Sequence, residues 1–228
     1  MIDRPSREPI VTIDGPAGAG KSTVARLLAA RLGYRLLDTG GMYRAVAWSV
    51  AQAGIPADDA AAIARHLASV TVQVDGDRFF VNGREVSAEI RTPEIGALTS
   101  LITALAAVRD KVTPLQRRLA EAGGVVLEGR DTGTVVCPDA DVKFFLDASL
   151  ETRARRRQVE LAAAGRTVPL EAVRAEITVR DAQDRTRALA PLQRAPDAIE
   201  VDTSDRTPDE VVAEMLETVE RSRCCTRS

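Results

Sequence analysis

One stretch constrains this chain more than any other. Gly15-Pro16-Ala17-Gly18-Ala19-Gly20-Lys21-Ser22 follows the pattern G-x-x-x-x-G-K-[ST]. It comes directly after Ile10-Val11-Thr12-Ile13-Asp14, a β-branched run that reads as a buried strand. It also opens a segment with Val24, Leu27, Leu28 and Leu32 at helical spacing, which Gly33 stops. Between a strand and a helix, such glycines let successive backbone N–H groups turn inward around phosphate oxygens, and the helix aims its positive end at the same anion. Lys21 then supplies a point charge to the β- and γ-phosphates, and the Ser22 hydroxyl is placed to ligate Mg²⁺. The segment Gly15 to Thr23 is therefore expected to bind a nucleoside triphosphate.

Arg35-Leu36-Leu37-Asp38 follows the helix as a second strand, so strand, loop, helix and strand fit within 30 residues, which predicts a βαβ unit and a parallel sheet. Val125–Glu128, Val142–Asp147 and Ala198–Asp202 read as further strands, and a closing helix from Thr207-Pro208 carries Val211, Val212, Met215 and Leu216. The expected class is α/β. Asp14, Asp38 and Glu128 stand at strand ends, where parallel sheets place their ligand crevice. The stretch 41–121 breaks the alternation. It predicts helices over Met42–Ala53 and Asp58–Ala68, then a hairpin of Val70–Val74 and Arg78–Val86 around Asp75-Gly76. It reads as an insertion within a single domain spanning 1–228.

Composition narrows the function. The single histidine, His66, leaves no ground for His-ligand metal sites or a Ser-His-Asp triad. Of the three cysteines, Cys137 stands alone as a small apolar filler, and Cys224-Cys225 suggest a frayed end. A net charge of −2 argues against bulk nucleic-acid binding, and no apolar run approaches the ~20 residues that cross a bilayer. Met1 to Pro9 lack a signal-peptide centre, so a cytoplasmic protein is expected, and the missing long apolar face points to a monomer.

Arginine clusters suggest what receives the phosphate. They occur in Asp38-Thr39-Gly40-Gly41-Met42-Tyr43-Arg44, in Glu128-Gly129-Arg130-Asp131-Thr132-Gly133-Thr134 and in Arg180-Asp181-Ala182-Gln183-Asp184-Arg185-Thr186-Arg187. One arginine ~4 Å from a phosphate charge gains roughly 4 kcal/mol before desolvation at an effective dielectric of 20, so converging arginines suit phosphoryl transfer. These residues alone leave open a kinase of another nucleotide or small metabolite, and a nucleotide-dependent switch with no acceptor.

The four motifs together, the last extended as Arg-Thr-Arg-Ala-Leu-Ala-Pro, resemble bacterial cytidylate kinases from about Ile10 to Glu217. The resemblance implies a P-loop kinase fold with a five-stranded parallel sheet, the 41–121 insertion as acceptor-binding element and a lid over 153–170. It implies the reaction ATP + (d)CMP → ADP + (d)CDP with Mg²⁺. Arg44 and Arg130 would grip the acceptor phosphate, with Thr39 and Tyr43 helping. Ser100, Arg109, Asp131 and Arg187 would line the base pocket, and Arg180 and Asp184 would reach the sugar. Thr39 stands where many relatives have serine, which keeps the hydroxyl. On the lid helix, Arg153, Arg156 and Arg157 share a face, and Arg153 and Arg157 are expected as the phosphate contacts.

Overall fold

The computed structural model describes residues 7–163 and 165–226; Met1–Ser6, Ala164, Arg227 and Ser228 lie outside it. The chain runs β1 (Ile10–Asp14), α1 (Lys21–Leu32), β2 (Arg35–Asp38), α2 (Thr39–Gln52), α3 (Ala60–Leu67), β3 (Val72–Asp75), β4 (Arg78–Val81) and β5 (Arg84–Glu85). It continues through α4 (Pro93–Ile102), α5 (Ala106–Ala120), β6 (Val125–Glu128), β7 (Val142–Asp147), α6 (Leu150–Ala163), α7 (Leu170–Thr186), β8 (Ile199–Asp202) and α8 (Pro208–Thr226). β2, β6, β1, β7 and β8 lie side by side in that order, all parallel.

Strand alternation divides the apolar residues between two faces. Ile10, Leu37, Val125 and Leu127 join the core formed with α2 and α5, while Val11, Ile13, Val126, Phe144 and Leu146 pack with α1 and α8. The register aligns Ile13 and Asp38 with Glu128, so these strand ends finish at one level, where the glycine loop starts. α6 and α7 form a helical pair with a small core of their own, Ala154, Leu161, Val173 and Ile177. No helix among the described residues is long and apolar enough to cross a membrane.

Several boundaries differ from expectation. α2 starts at Thr39, three residues before Met42, because Asp38 caps it by accepting a hydrogen bond from Gly41 N at 2.8 Å, and the cap offsets two glycines in the first turn. Gly41 is required there for another reason. A Cβ at this position would lie 2.2 Å from the Phe79 ring, which packs from β4 against α2. α3 starts at Ala60 rather than Asp58, since Asp59 caps it through Ala62 N. The second hairpin arm is interrupted: Asn82 and Gly83 both take positive φ (49° and 79°), turning the chain into β5 and making a three-stranded sheet. The Asn-Gly signal for that turn is present in the sequence. α8 continues to Thr226, through the segment expected to fray.

Candidate active site

The glycine loop spans the gap between β1 and α1. Gly15 sits at φ +147°, and a Cβ there would lie 1.9 Å from the Leu146 carbonyl oxygen on β7. Left-handed strain and this overlap together predict that Gly15→Ala loses roughly 3 kcal/mol of stability. Urea denaturation checks this, and an unchanged midpoint would contradict it. Lys21 is buried, and its Nζ donates to the Pro16 carbonyl at 2.7 Å. Burial, and after it the positive charge of Arg130, hold the Lys21 pKa well below its ordinary value.

A cavity of ≈ 1480 Å³ opens above the strand ends. Single small-molecule pockets run to about 1,000 Å³, so this one has room for two ligands end to end. Ala17, Gly18, Gly20, Lys21, Ser22 and Thr23 form one end, while Gly15, Pro16 and Ala19 lie behind it as backbone support. Thr39, Tyr43, Arg44, Ser100, Arg130, Asp131, Arg180, Asp184 and Arg187 line the remainder, with Arg157 from α6.

The cations are crowded and held by carboxylates. Arg44 pairs with Asp38 at 2.6 Å, and Arg130 with Asp184 at 2.9 Å. Arg180, Asp184 and Arg187 fall on one face at the end of α7. Burial first, then the charge of Arg130, lowers Arg180 to about 10, with Arg157 and Arg44 adding to the effect. Arg44 and Arg180 both line the cavity, and the buried Nε of each has no protein partner. An anion brought here gains unpaired donors and relieves like-charge repulsion at once.

Several arginines have partners that the sequence did not foretell. Arg109 does not line the cavity; it stands behind Asp131, pairs with that carboxylate and lies 5.7 Å over the Tyr43 ring. Arg187 approaches the other Asp131 oxygen at 3.5 Å. Arg153 is only 5% exposed and sits behind the glycine loop. It donates to Ala148 O at 3.0 Å and Ala17 O at 3.2 Å, and pairs with Asp181 on α7 at 2.6 Å. Arg156 likewise faces inward, donating to Thr203, whose hydroxyl donates to Ala19 O. Arg157 alone of these three lines the cavity.

Sequence reasoning also missed a partner for Ser22. Its hydroxyl donates to Glu128 Oε2 at 2.7 Å. Burial and then the charge of Asp38 push the Glu128 pKa up, which places the two carboxylates close together. The signal was available: Glu128 ends the strand beside the loop-bearing strand, the position from which such sites assist a metal. Ser22, Glu128 and Asp38 offer a hard, all-oxygen donor set that fits Mg²⁺. Among the described residues no group of three or more His, Cys, Asp or Glu is placed to hold a metal, so an ion at Ser22 and Glu128 would take its remaining ligands from phosphates and water.

The chain is similar to known proteins in sequence and, more distantly, in fold. The family model for cytidylate kinase matches residues 11–221. A cytidylate kinase from a Geobacter species is 51% identical over 214 residues, covering 92% of each chain. One from Mycobacterium avium is 50% identical over 219 residues, covering 94% of this chain and 96% of its own. A crystal structure of an uncharacterized protein from Eubacterium ventriosum matches with a TM-score of 0.51 at 12% identity, over 94% of this chain and 99% of that one, which is a likeness of fold.

Proposed function

The chain belongs to the cytidylate kinase family, and we propose that its cavity aligns ATP on the glycine loop with CMP or dCMP in the arginine-lined half. The reaction moves the γ-phosphoryl group of ATP to the acceptor, giving ADP and CDP or dCDP. A nucleotide phosphate is largely a dianion at neutral pH, with its second pKa near about 6, so its oxygen needs no general base. That oxygen forms a bond to the γ-phosphorus as the bond to the β,γ-bridging oxygen breaks. The protein's work is alignment and charge neutralisation.

In this reading the loop amides and Lys21 hold the β- and γ-phosphates. Arg44 and Arg130 grip the acceptor phosphate, with Thr39 and Tyr43 shaping its seat. Arg157 reaches the transferring group from α6, and Arg153 acts on it indirectly, by fixing the loop at Ala17. Ser22, with Glu128 and Asp38, would hold Mg²⁺, which neutralises phosphate charge when bound. Closure of the lid, residues 153–170 from α6 to the start of α7, over the cavity excludes water as a competing acceptor.

The base is read at Asp131. Each of its oxygens faces one guanidinium, which leaves acceptor capacity on both for the cytosine amine. Arg187 supplies donors for N3 and O2, with Ser100 alongside, and Arg109 holds Asp131 from behind, while Arg180 and Asp184 face the sugar. Uracil would set O4 against a carboxylate, a mismatch of roughly 1–3 kcal/mol. The enzyme is read as a cytoplasmic monomer acting on free nucleotides rather than nucleic acid, in line with a net charge of −2.

The observation that carries this reading is the convergence of Lys21, Arg44, Arg130, Arg157 and Arg180 on one cavity, where burial first and then the charges of Arg130, Arg157 and Arg44 lower the pKa of Arg180. A panel of CMP, dCMP, UMP, AMP and small hydroxylated metabolites, each with ATP and Mg²⁺, tests it by product chromatography. CMP or dCMP should give the highest kcat/KM and yield a diphosphate. Faster turnover of AMP or a metabolite would reject the acceptor assignment, and release of phosphate unaffected by CMP would reject the kinase assignment.

A further inference from the structure

Asp14 ends β1 and precedes Gly15, and by position it was expected to face the crevice with Asp38 and Glu128. It turns inward instead: it is 4% exposed and does not line the cavity. Its Oδ1 accepts from Thr132 N and Thr132 Oγ1, each at 2.8 Å, and its Oδ2 accepts from Gly133 N at 2.7 Å. All three donors are neutral. Lys21, whose charge Asp14 favours, is hydrogen-bonded to Pro16 instead. Burying a carboxylate whose hydrogen bonds all come from neutral donors is costly, and a group kept at such cost is holding something in place. Burial raises its pKa from the ordinary value, opposed by these same hydrogen bonds.

What it holds is the start of a π-helical turn, Thr132–Val136, that follows directly on Asp131. On the other side of Arg130, Gly129 N donates to Ile13 O at 3.0 Å. Arg130 and Asp131 are thus suspended between two tethers, both made to the last two residues of β1. The span is tight: a Cβ at Gly133 would lie 2.9 Å from Thr12 Oγ1, and one at Gly129 would lie 2.6 Å from both Thr132 Cγ2 and Thr39 Oγ1. The residue that delivers the chain into the glycine loop therefore also sets the two residues assigned to the acceptor.

We propose that Asp14 is a positioning residue that fixes Arg130 and Asp131 relative to the phosphate loop, so that cytosine discrimination depends on its three hydrogen bonds. This rests on the reading of Asp131 as the base-reading carboxylate. An asparagine keeps the shape but turns an NH₂ toward either Gly133 N or Thr132, so at least one donor loses its acceptor. Thr132→Val removes only the hydroxyl donor and keeps the methyl that packs on Gly129, and Thr132→Ser keeps the hydroxyl.

The test compares kcat/KM for CMP with that for UMP, alongside the ATP KM and circular dichroism. Asp14→Asn should lower the CMP-over-UMP ratio about tenfold and Thr132→Val about threefold, as expected for loss of hydrogen bonds to a charged group. Thr132→Ser should retain the wild-type ratio, and the ATP KM should stay within about twofold throughout, because the loop amides themselves are untouched. A ratio unchanged in folded Asp14→Asn and Thr132→Val would overturn the proposal and leave Asp14 a purely structural group. Should Asp14→Asn fail to fold, the valine–serine contrast at Thr132 decides alone. A wild-type enzyme that does not prefer CMP would instead strike the base-reading role of Asp131, and this proposal with it.

Discussion

Lys21→Ala should lower kcat by about 10²–10³-fold, the usual loss when one preorganised charge is removed from a developing transition state. The effect belongs in kcat more than in ATP affinity. Loop amides and the α1 terminus still bind the phosphates, whereas charge that shifts during transfer loses its partner. Folding should survive. Burial and then the charge of Arg130 disfavour the Lys21 cation, with Glu128 opposing them, and its one hydrogen bond goes to the Pro16 carbonyl. Removing the cation relieves repulsion from Arg130 and Arg180 but takes a counter-charge from Glu128, so the melting transition should change little. Steady-state kinetics with CMP and a thermal melt check both halves. Near-normal turnover would remove the glycine loop from the chemistry, and a collapsed melt would make Lys21 structural.

Arg130→Ala should act on the other side of the cavity. The kcat/KM for CMP should fall by about 10²-fold or more, while the ATP KM moves less than about threefold. Arg130 is near both Lys21 and Arg180: after burial, its charge is what most lowers each of their pKa values, and its Nε donates to Asp184. Its loss leaves Asp184 with Arg187 at 3.8 Å as the nearer partner, which limits the structural damage. Arg130→Lys should recover only part of the activity, since an ammonium keeps the charge but not the planar fork that grips phosphate. Measuring both KM values in each variant decides the matter. A change confined to the ATP KM would move Arg130 to the donor side.

The sheet and the loop were legible because their signals are local. β1, β2, β6 and β7 coincide with runs of β-branched and apolar residues, and the loop pattern lies between a strand and a helix in sequence as in space. Tertiary partners were not legible in the same way. Helical spacing groups Arg153, Arg156 and Arg157 on one face but says nothing of what that face meets. The structure sends Arg153 to Ala17 and Asp181, Arg156 to Thr203, and leaves Arg157 at the cavity. Arg109 and Asp131 are 22 residues apart, and the first stands behind the second because α5 packs beside the turn after β6. Asp14 and Glu128 look alike at strand ends. One turns to backbone donors on a neighbouring turn and the other to Ser22, a difference set by which loop crosses above each strand. Caps decided the start of α2 and α3, where a single Asp side chain outweighs the propensity of the residues after it.

The central claim is that one cavity holds donor and acceptor with their phosphates facing. A dinucleotide joining adenosine and cytidine through five phosphates probes it directly by titration calorimetry. One molecule should bind per chain, at least about 10²-fold tighter than ATP or CMP alone, as linkage of two sites through a matched span provides, and either nucleotide should displace it. Binding no tighter than ATP, displaced by ATP but indifferent to CMP, would contradict it.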